Sequence, residues 1–262
     1  MSYSKESTYV SKPLDANGNA DYTQEEDSVW HDLMARQQKI VVDRACDEYI
    51  HGLKLSNLPR DRVPQCYEVT KVLQETTGWA LEPVPALIPF EQFFTLLANR
   101  RFPAATFIRT RADFDYIKEP DLFHEIFGHS PLLTNPAYAQ FAEHYGKLGL
   151  AATPEERIKL ARLFWFTVEF GLIRTSAGIR AYGGGILSSI EETVYAVESN
   201  IPERRPFDVI DALLTPYRID IKQPIYFVIN SFDQLYQLAK MDLMDIVRQT
   251  KNLHDHVPPH PC

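Results

Sequence analysis

Cysteine is scarce in this chain and basic residues are outnumbered. The three cysteines, Cys46, Cys66 and Cys262, are odd in number and far apart with no CxxC pair, which excludes a disulfide framework or a zinc ribbon and fits a reducing cytoplasm. With 27 Lys plus Arg against 35 Asp plus Glu the formal charge is −8, so polyanions are poor partners and neither nucleic acid nor an anionic membrane surface is expected. No apolar run approaches the ~18 residues of a membrane span. The N-terminal segment MSYSKESTYVSKPLDANGNADY has no hydrophobic stretch that would make a signal peptide. A cytoplasmic protein is the expectation.

What remains is an ordinary globular composition, 45% hydrophobic and 24% charged over 262 residues. A chain of this length buries roughly 70 to 75% of its unfolded surface, enough for a recessed site. Residues 1–24 are polar and read as a flexible or surface-draped arm, and 251–262 as a Pro- and His-containing tail. Between them, 25–250 reads as one mainly helical domain with a few short strands and no repeat. Helical spacing recurs over 25–55 (one long helix or two), 64–76, 89–99, 121–128, 136–148, 154–172, 188–199, 206–214 and 232–249. The Pro-rich run 79–89 predicts an extended loop with an edge strand, and 105–110, 181–182 and 225–229 predict strands.

Of eight histidines, His31 and His51 fall on the first helical stretch. His254, His256 and His260 lie in the tail, where a plain disordered end competes with weak binding of stray metal. The informative pair is in PDLFHEIFGHSPLL. His124 and His129 are five apart, not four as in HExxH, and on an α-helix their rings would point about 140° apart. Gly128 and Pro131 offer an exit, because glycine leaves a right-handed helix readily and proline stops it, so His129 would swing back past the helix end. Two histidines in an apolar stretch are also compatible with ordinary packing.

A third group breaks that tie. Glu169 sits in LFWFTVEFGL, apolar on every side, and an unpaired buried carboxylate costs several kcal/mol. Its partner is either Arg174 or Arg180, or a metal shared with the histidines. The last explains three residues at once, as a 2-His-1-carboxylate face of the kind used by non-haem Fe(II) oxygenases.

PDLFHEIFGHSPLL, WFTVEFGL and AYGGGILSS, in this order and at these separations, resemble the pterin-dependent aromatic amino acid hydroxylases, most closely their bacterial phenylalanine-hydroxylating members. The likeness covers nearly all of the chain after the arm. It implies a helical basket with a small sheet and iron held by His124, His129 and Glu169. It also implies a tetrahydropterin, O2 as co-substrate and hydroxylation of L-phenylalanine to L-tyrosine. For the pterin it implies Ala86, Leu87 and Ile88 through their backbone, Phe93 as a stacking ring and Glu125 beside the first ligand. Packing alone is the competing account of Phe93, and a solvated acid that of Glu125.

For the amino acid, the resemblance implies Arg109 on the carboxylate, Trp165 and Phe170 as pocket walls, and Tyr116, Gly185, Ser188 and Ser189 nearby. Ile219 stands where tyrosine-hydroxylating members carry an acid, and an apolar wall leaves a phenolic hydroxyl unpaired. Tryptophan and tyrosine hydroxylation remain alternatives. Phe164 and Pro103 depart from the animal pattern, which has a tyrosine and a histidine there. The triple glycine lacks the strand and lysine of a phosphate loop. A zinc hydrolase with Glu125 as base, and a non-catalytic binding descendant, are the competing functions. The short arm and Pro-rich tail leave no regulatory domain or tetramerising helix, so a monomer or weak dimer served by separate pterin-recycling enzymes is expected.

Overall fold

Caps and turns set the helices. The structure, a computed structural model, describes residues 9–257; the expectations for 1–8 and 258–262, including His260 and Cys262, lie outside the described residues. Thr23 accepts the Glu26 amide while Glu26 bonds back to the Thr23 backbone, a capping box that starts α1 (Gln24–Ile40). The chain then turns before α2 (Asp47–Ser56), with Asp43 at a φ of 59°, so the first helical stretch is two helices. α3 (Cys66–Thr76) leads into β1 (Ala80–Val84), which pairs in parallel with β2 (Arg101–Ala105) across α4 (Phe90–Ala98). The strand expected over 105–110 therefore lies earlier, and Arg109 belongs to the loop beyond it. A two-stranded sheet has a free edge on each strand, which tolerates Pro83 and Pro103.

Next come two widened helical segments, π1 (His124–His129), continued by α5 (Ser130–Leu133), and π2 (Trp165–Glu169). Between them lie α6 (Pro136–Ala151) and α7 (Pro154–Phe164). The helix expected to reach residue 172 stops at Glu169, and Leu172 opens β3 (Leu172–Thr175), paired antiparallel with β4 (Gly178–Ala181). Then follow α8 (Gly184–Leu187), α9 (Ile190–Glu198), β5 (Glu203–Pro206), α10 (Val209–Leu214) and β6 (Ile225–Ile229). The sheet order is β4-β3-β6-β5. The stretch 232–249 divides at Met241 and Asp242 into α11 (Phe232–Lys240) and α12 (Leu243–Gln249). The architecture is mainly helical with short strands, and no helix among the described residues is long and apolar enough to cross a membrane.

The core holds π1 in place from behind. Phe127 stacks on Phe123 with ring centroids 4.9 Å apart, and Trp30 meets Phe123 edge-on at 5.5 Å. The Tyr49 hydroxyl donates to the Phe127 carbonyl at 2.6 Å. At the chain ends, Ser11 Oγ donates to the Val84 carbonyl and accepts the Thr106 amide, while Tyr9 stacks on Phe107 at 5.0 Å. Opposite, Asp255 accepts from Lys159 and Arg162, and the His256 amide donates to the Leu214 carbonyl.

Candidate functional site

The five-residue histidine spacing is resolved by backbone geometry. Ser130 N–H donates to the Glu125 carbonyl, and Phe170 N–H to the Trp165 carbonyl at 2.8 Å. Both are i→i+5 bonds, the signature of a π turn. The expected break at Gly128 does not occur. The helix instead takes up an extra residue per turn, which brings His129 round beneath His124. Pro131, lacking an N–H, leaves the Ile126 carbonyl without its i+5 partner, and Ser130 Oγ supplies the missing donor at 2.5 Å. Proline therefore does not end the helix here.

His124 Nε2 and His129 Nε2 stand 3.0 Å apart, with Glu169 Oε2 at 3.6 Å from the first and Oε1 at 3.3 Å from the second. At that separation two imidazole lone pairs confront each other unless a cation or a proton lies between them. All three ligand atoms fall within 4.8 Å of one another, and two nitrogens with one carboxylate suit a divalent first-row metal. Among the described residues neither Arg174 nor Arg180 forms an ion pair with Glu169, whose charged contacts are the two imidazoles. Burial alone would raise Glu169, but His129 and His124 hold it below the usual carboxylate range. Burial drives His124 down to about 4, against the pull of Glu169, which keeps its lone pair free for a metal.

Ser188 Oγ, on a residue expected near the amino acid, sits 2.9 Å from His124 Nδ1 and so also orients an imidazole. The triple glycine has a use that its sequence does not disclose. A Cβ on Gly184 would lie 2.4 Å from the His129 ring, and one on Gly183 2.3 Å from the Glu169 carbonyl. Only bare backbone can pass this close, so the run is a packing wall for His129 and Glu169 rather than a phosphate cradle. Gly185 adjoins both Glu169 and Phe170.

Asp121 escaped the sequence reading, although Pro120-Asp121 ahead of an apolar run is a helix-start signal. It is fully buried and accepts the Arg109 backbone amide at 2.9 Å, Arg109 Nε and Nη2 at 2.8 Å each, and the His124 amide at 3.0 Å. Burial opposes both charges, yet each partner stabilises the other: Asp121 is held low and Arg109 high. Arg109 therefore has its Nε edge already committed. Glu125 is the opposite case. Burial first, then Glu169 and Asp121, push its carboxyl well above the usual range, so that it favours a proton.

Trp165 stacks on Phe170 at 4.4 Å and on Tyr217 at 4.3 Å, and its indole N–H donates to Gln223 Oε1 at 3.0 Å. Tyr217 and Gln223 had no sequence signal of their own. Phe93 meets Phe164 edge-on at 5.3 Å and Phe94 at 5.6 Å, packed against the core. Ala86, Leu87 and Ile88 form the partly exposed loop after β1, and Ser189 caps α9 by accepting the Glu192 amide. Tyr116 and Ile219, at 60% and 66% exposed, are not drawn into the buried cluster.

The family model for biopterin-dependent aromatic amino acid hydroxylases matches residues 7–256. A phenylalanine-4-hydroxylase of Vibrio cholerae is 56% identical over 92% of this chain and 83% of its own length. The apo structure of the cold-active phenylalanine hydroxylase from Colwellia psychrerythraea superposes with a TM-score of 0.94 at 52% identity, covering 95% of this chain and 97% of that one. A Chromobacterium violaceum phenylalanine hydroxylase, 42% identical with a TM-score of 0.88 over 94% of each chain, was solved with bound oxidized Fe(III).

Proposed function

Because the chain belongs to the biopterin-dependent aromatic amino acid hydroxylase family, we propose that it is an Fe(II)- and tetrahydropterin-dependent monooxygenase that converts L-phenylalanine to L-tyrosine with O2. The observation that carries this reading is the convergence of His124, His129 and Glu169, whose ligand atoms lie within 4.8 Å of one another, near the stacked rings of Trp165 and Phe170. These three residues would hold the iron. Iron and the reduced pterin, when bound, supply the activation of O2.

The protein's own residues bind, orient and exclude water. The Nη1 side of Arg109 is available for the substrate carboxylate, and its Nε side, fixed on Asp121, keeps the guanidinium from turning. Trp165 and Phe170 form the wall against the aromatic ring. Phe93 and the backbone of Ala86, Leu87 and Ile88 suit a flat heterocycle with donor and acceptor edges. The Glu125 carboxyl, pushed well above the usual carboxylate range by burial, can donate a hydrogen bond to that heterocycle when it carries a proton. The π turn removes the spacing objection to a zinc hydrolase with Glu125 as base, so the family membership now argues against that alternative. A cytoplasmic monomer or weak dimer, with pterin recycled by other enzymes, completes the reading.

Anaerobically iron-loaded protein given tetrahydropterin, O2 and phenylalanine, tyrosine or tryptophan side by side should form product fastest from phenylalanine; no tyrosine with every component present overturns the proposal. Glu169→Ala should lose iron and more than about a hundredfold in turnover, since loss of a mere supporting partner already costs 10- to 100-fold. Ser188→Ala should fall in that lower range, measured as metal affinity.

A further inference from the structure

A single amide ties together the two sides of the aromatic wall. Gln223 is 2% exposed, and every polar group of its side chain is used. Its Oε1 accepts the Trp165 indole N–H at 3.0 Å, and its Nε2 donates to the Arg218 carbonyl at 2.8 Å and the Ile221 carbonyl at 3.0 Å. The first bond fixes the ring plane of Trp165. The other two fold the loop that carries Tyr217, stacked on Trp165 with planes 11° apart, and Ile219. The amide is anchored in turn, because its backbone N–H donates to Glu192 Oε1 at 3.1 Å, and the same oxygen accepts the Tyr226 hydroxyl.

Glu192 lies one turn into α9, directly after Ser188 and Ser189. The polar chain therefore runs from the segment that orients His124 to the Trp165 ring, through buried and partly buried hydrogen bonds. Buried amides with all partners satisfied fix geometry more than they add stability. A stacked indole without its hydrogen bond would keep its contacts but lose its angle.

We propose that Gln223 is a specificity-determining positioning residue: it sets the plane of Trp165 and the fold of the Tyr217–Ile219 loop, and so the shape of the pocket that takes the substrate ring. This rests on the phenylalanine-hydroxylating reading above. Gln223→Met keeps the length and removes the hydrogen bonds; Gln223→Glu keeps the acceptor for the indole and removes the donors to the loop.

The first readout is the set of indole N–H resonances of metal-free, ¹⁵N-labelled protein, with Trp165 assigned by Trp165→Phe. In Gln223→Met the Trp165 signal should move upfield while those of Trp30 and Trp79 stay, and in Gln223→Glu it should remain near its wild-type place. The second readout is kinetic. KM for phenylalanine should rise about tenfold in Gln223→Met, the size of one neutral hydrogen bond, with kcat changed much less and the preference over tryptophan reduced. In a Trp165→Phe background the methionine substitution should add less, leaving only the part that acts through the loop.

An unmoved Trp165 resonance, or a KM effect undiminished in the Trp165→Phe background, overturns the proposal. Should the methionine variant not fold, Gln223→Asn, which withdraws the acceptor by one methylene, should give the same shift; failure of both to fold would make Gln223 a structural residue and also overturn it. If wild-type protein makes no tyrosine, the functional reading fails while the indole signals still decide whether Gln223 positions Trp165.

Discussion

Asp121 is fully buried and Asp255 has 45% of its side chain exposed, yet each is gripped by an arginine fork, Arg109 Nε and Nη2 on the first and Arg162 Nη1 and Nη2 on the second. Inside, the fork and two backbone amides replace a complete hydration shell. Water can stand in for any partner that Asp255 loses. The same pairing is thus obligatory beside His124 and adjustable near Asp255, and only the first restrains residues that the proposed chemistry needs.

The sharpest way to break this comparison is Asp121→Ala, which strands the Arg109 charge and frees the His124 amide. A loss of about 3–5 kcal/mol is expected, measured by denaturant unfolding, with phenylalanine KM rising in whatever folds. Asp255→Ala should cost less than about 1 kcal/mol after solvent screening, and turnover should not change. In 1 M salt, where the Debye length is about 3 Å, the Asp255 effect should vanish while that of Asp121 persists. Equal losses at the two sites would erase the distinction.

The smallest effect is in acid. Hydrogen bonding to Arg162 foremost, then to Lys159, holds Asp255 below the usual range. A depressed aspartate stabilises the fold above its unfolded pKa of about 3.9 and loses that contribution as the pH falls toward the native value. The gap in melting temperature between wild type and Asp255→Ala should therefore be constant above about pH 4 and narrow steadily as the pH falls below it. A gap independent of pH would show that the alanine acts through packing.

Residue chemistry was legible in the sequence where backbone geometry was not. An acid in an apolar run and two histidines near it pointed to the triad without any coordinates. The π turns stayed hidden, because hydrophobic spacing over a single turn does not separate i+4 from i+5 closure, and Gly128 with Pro131 reads as a stop. Asp121 was overlooked as an ordinary acid because its partner lies 12 residues back, and Gln223 because its indole partner is 58 residues away. Short strands such as β5, with the sequence ERRP, have no alternation to betray them; they exist because β6, buried along its whole length, offers them an edge.

Each π turn holds one residue more than the α turn it replaces. Removing a single codon between His124 and His129 would let the helix return to ordinary winding, with the two histidines four apart and still on one face. The metal-binding register is therefore written in the winding of the backbone as well as in its side chains: a five-residue spacing closed by a π turn and a four-residue spacing on an α turn bring the same pair of ligands to one face.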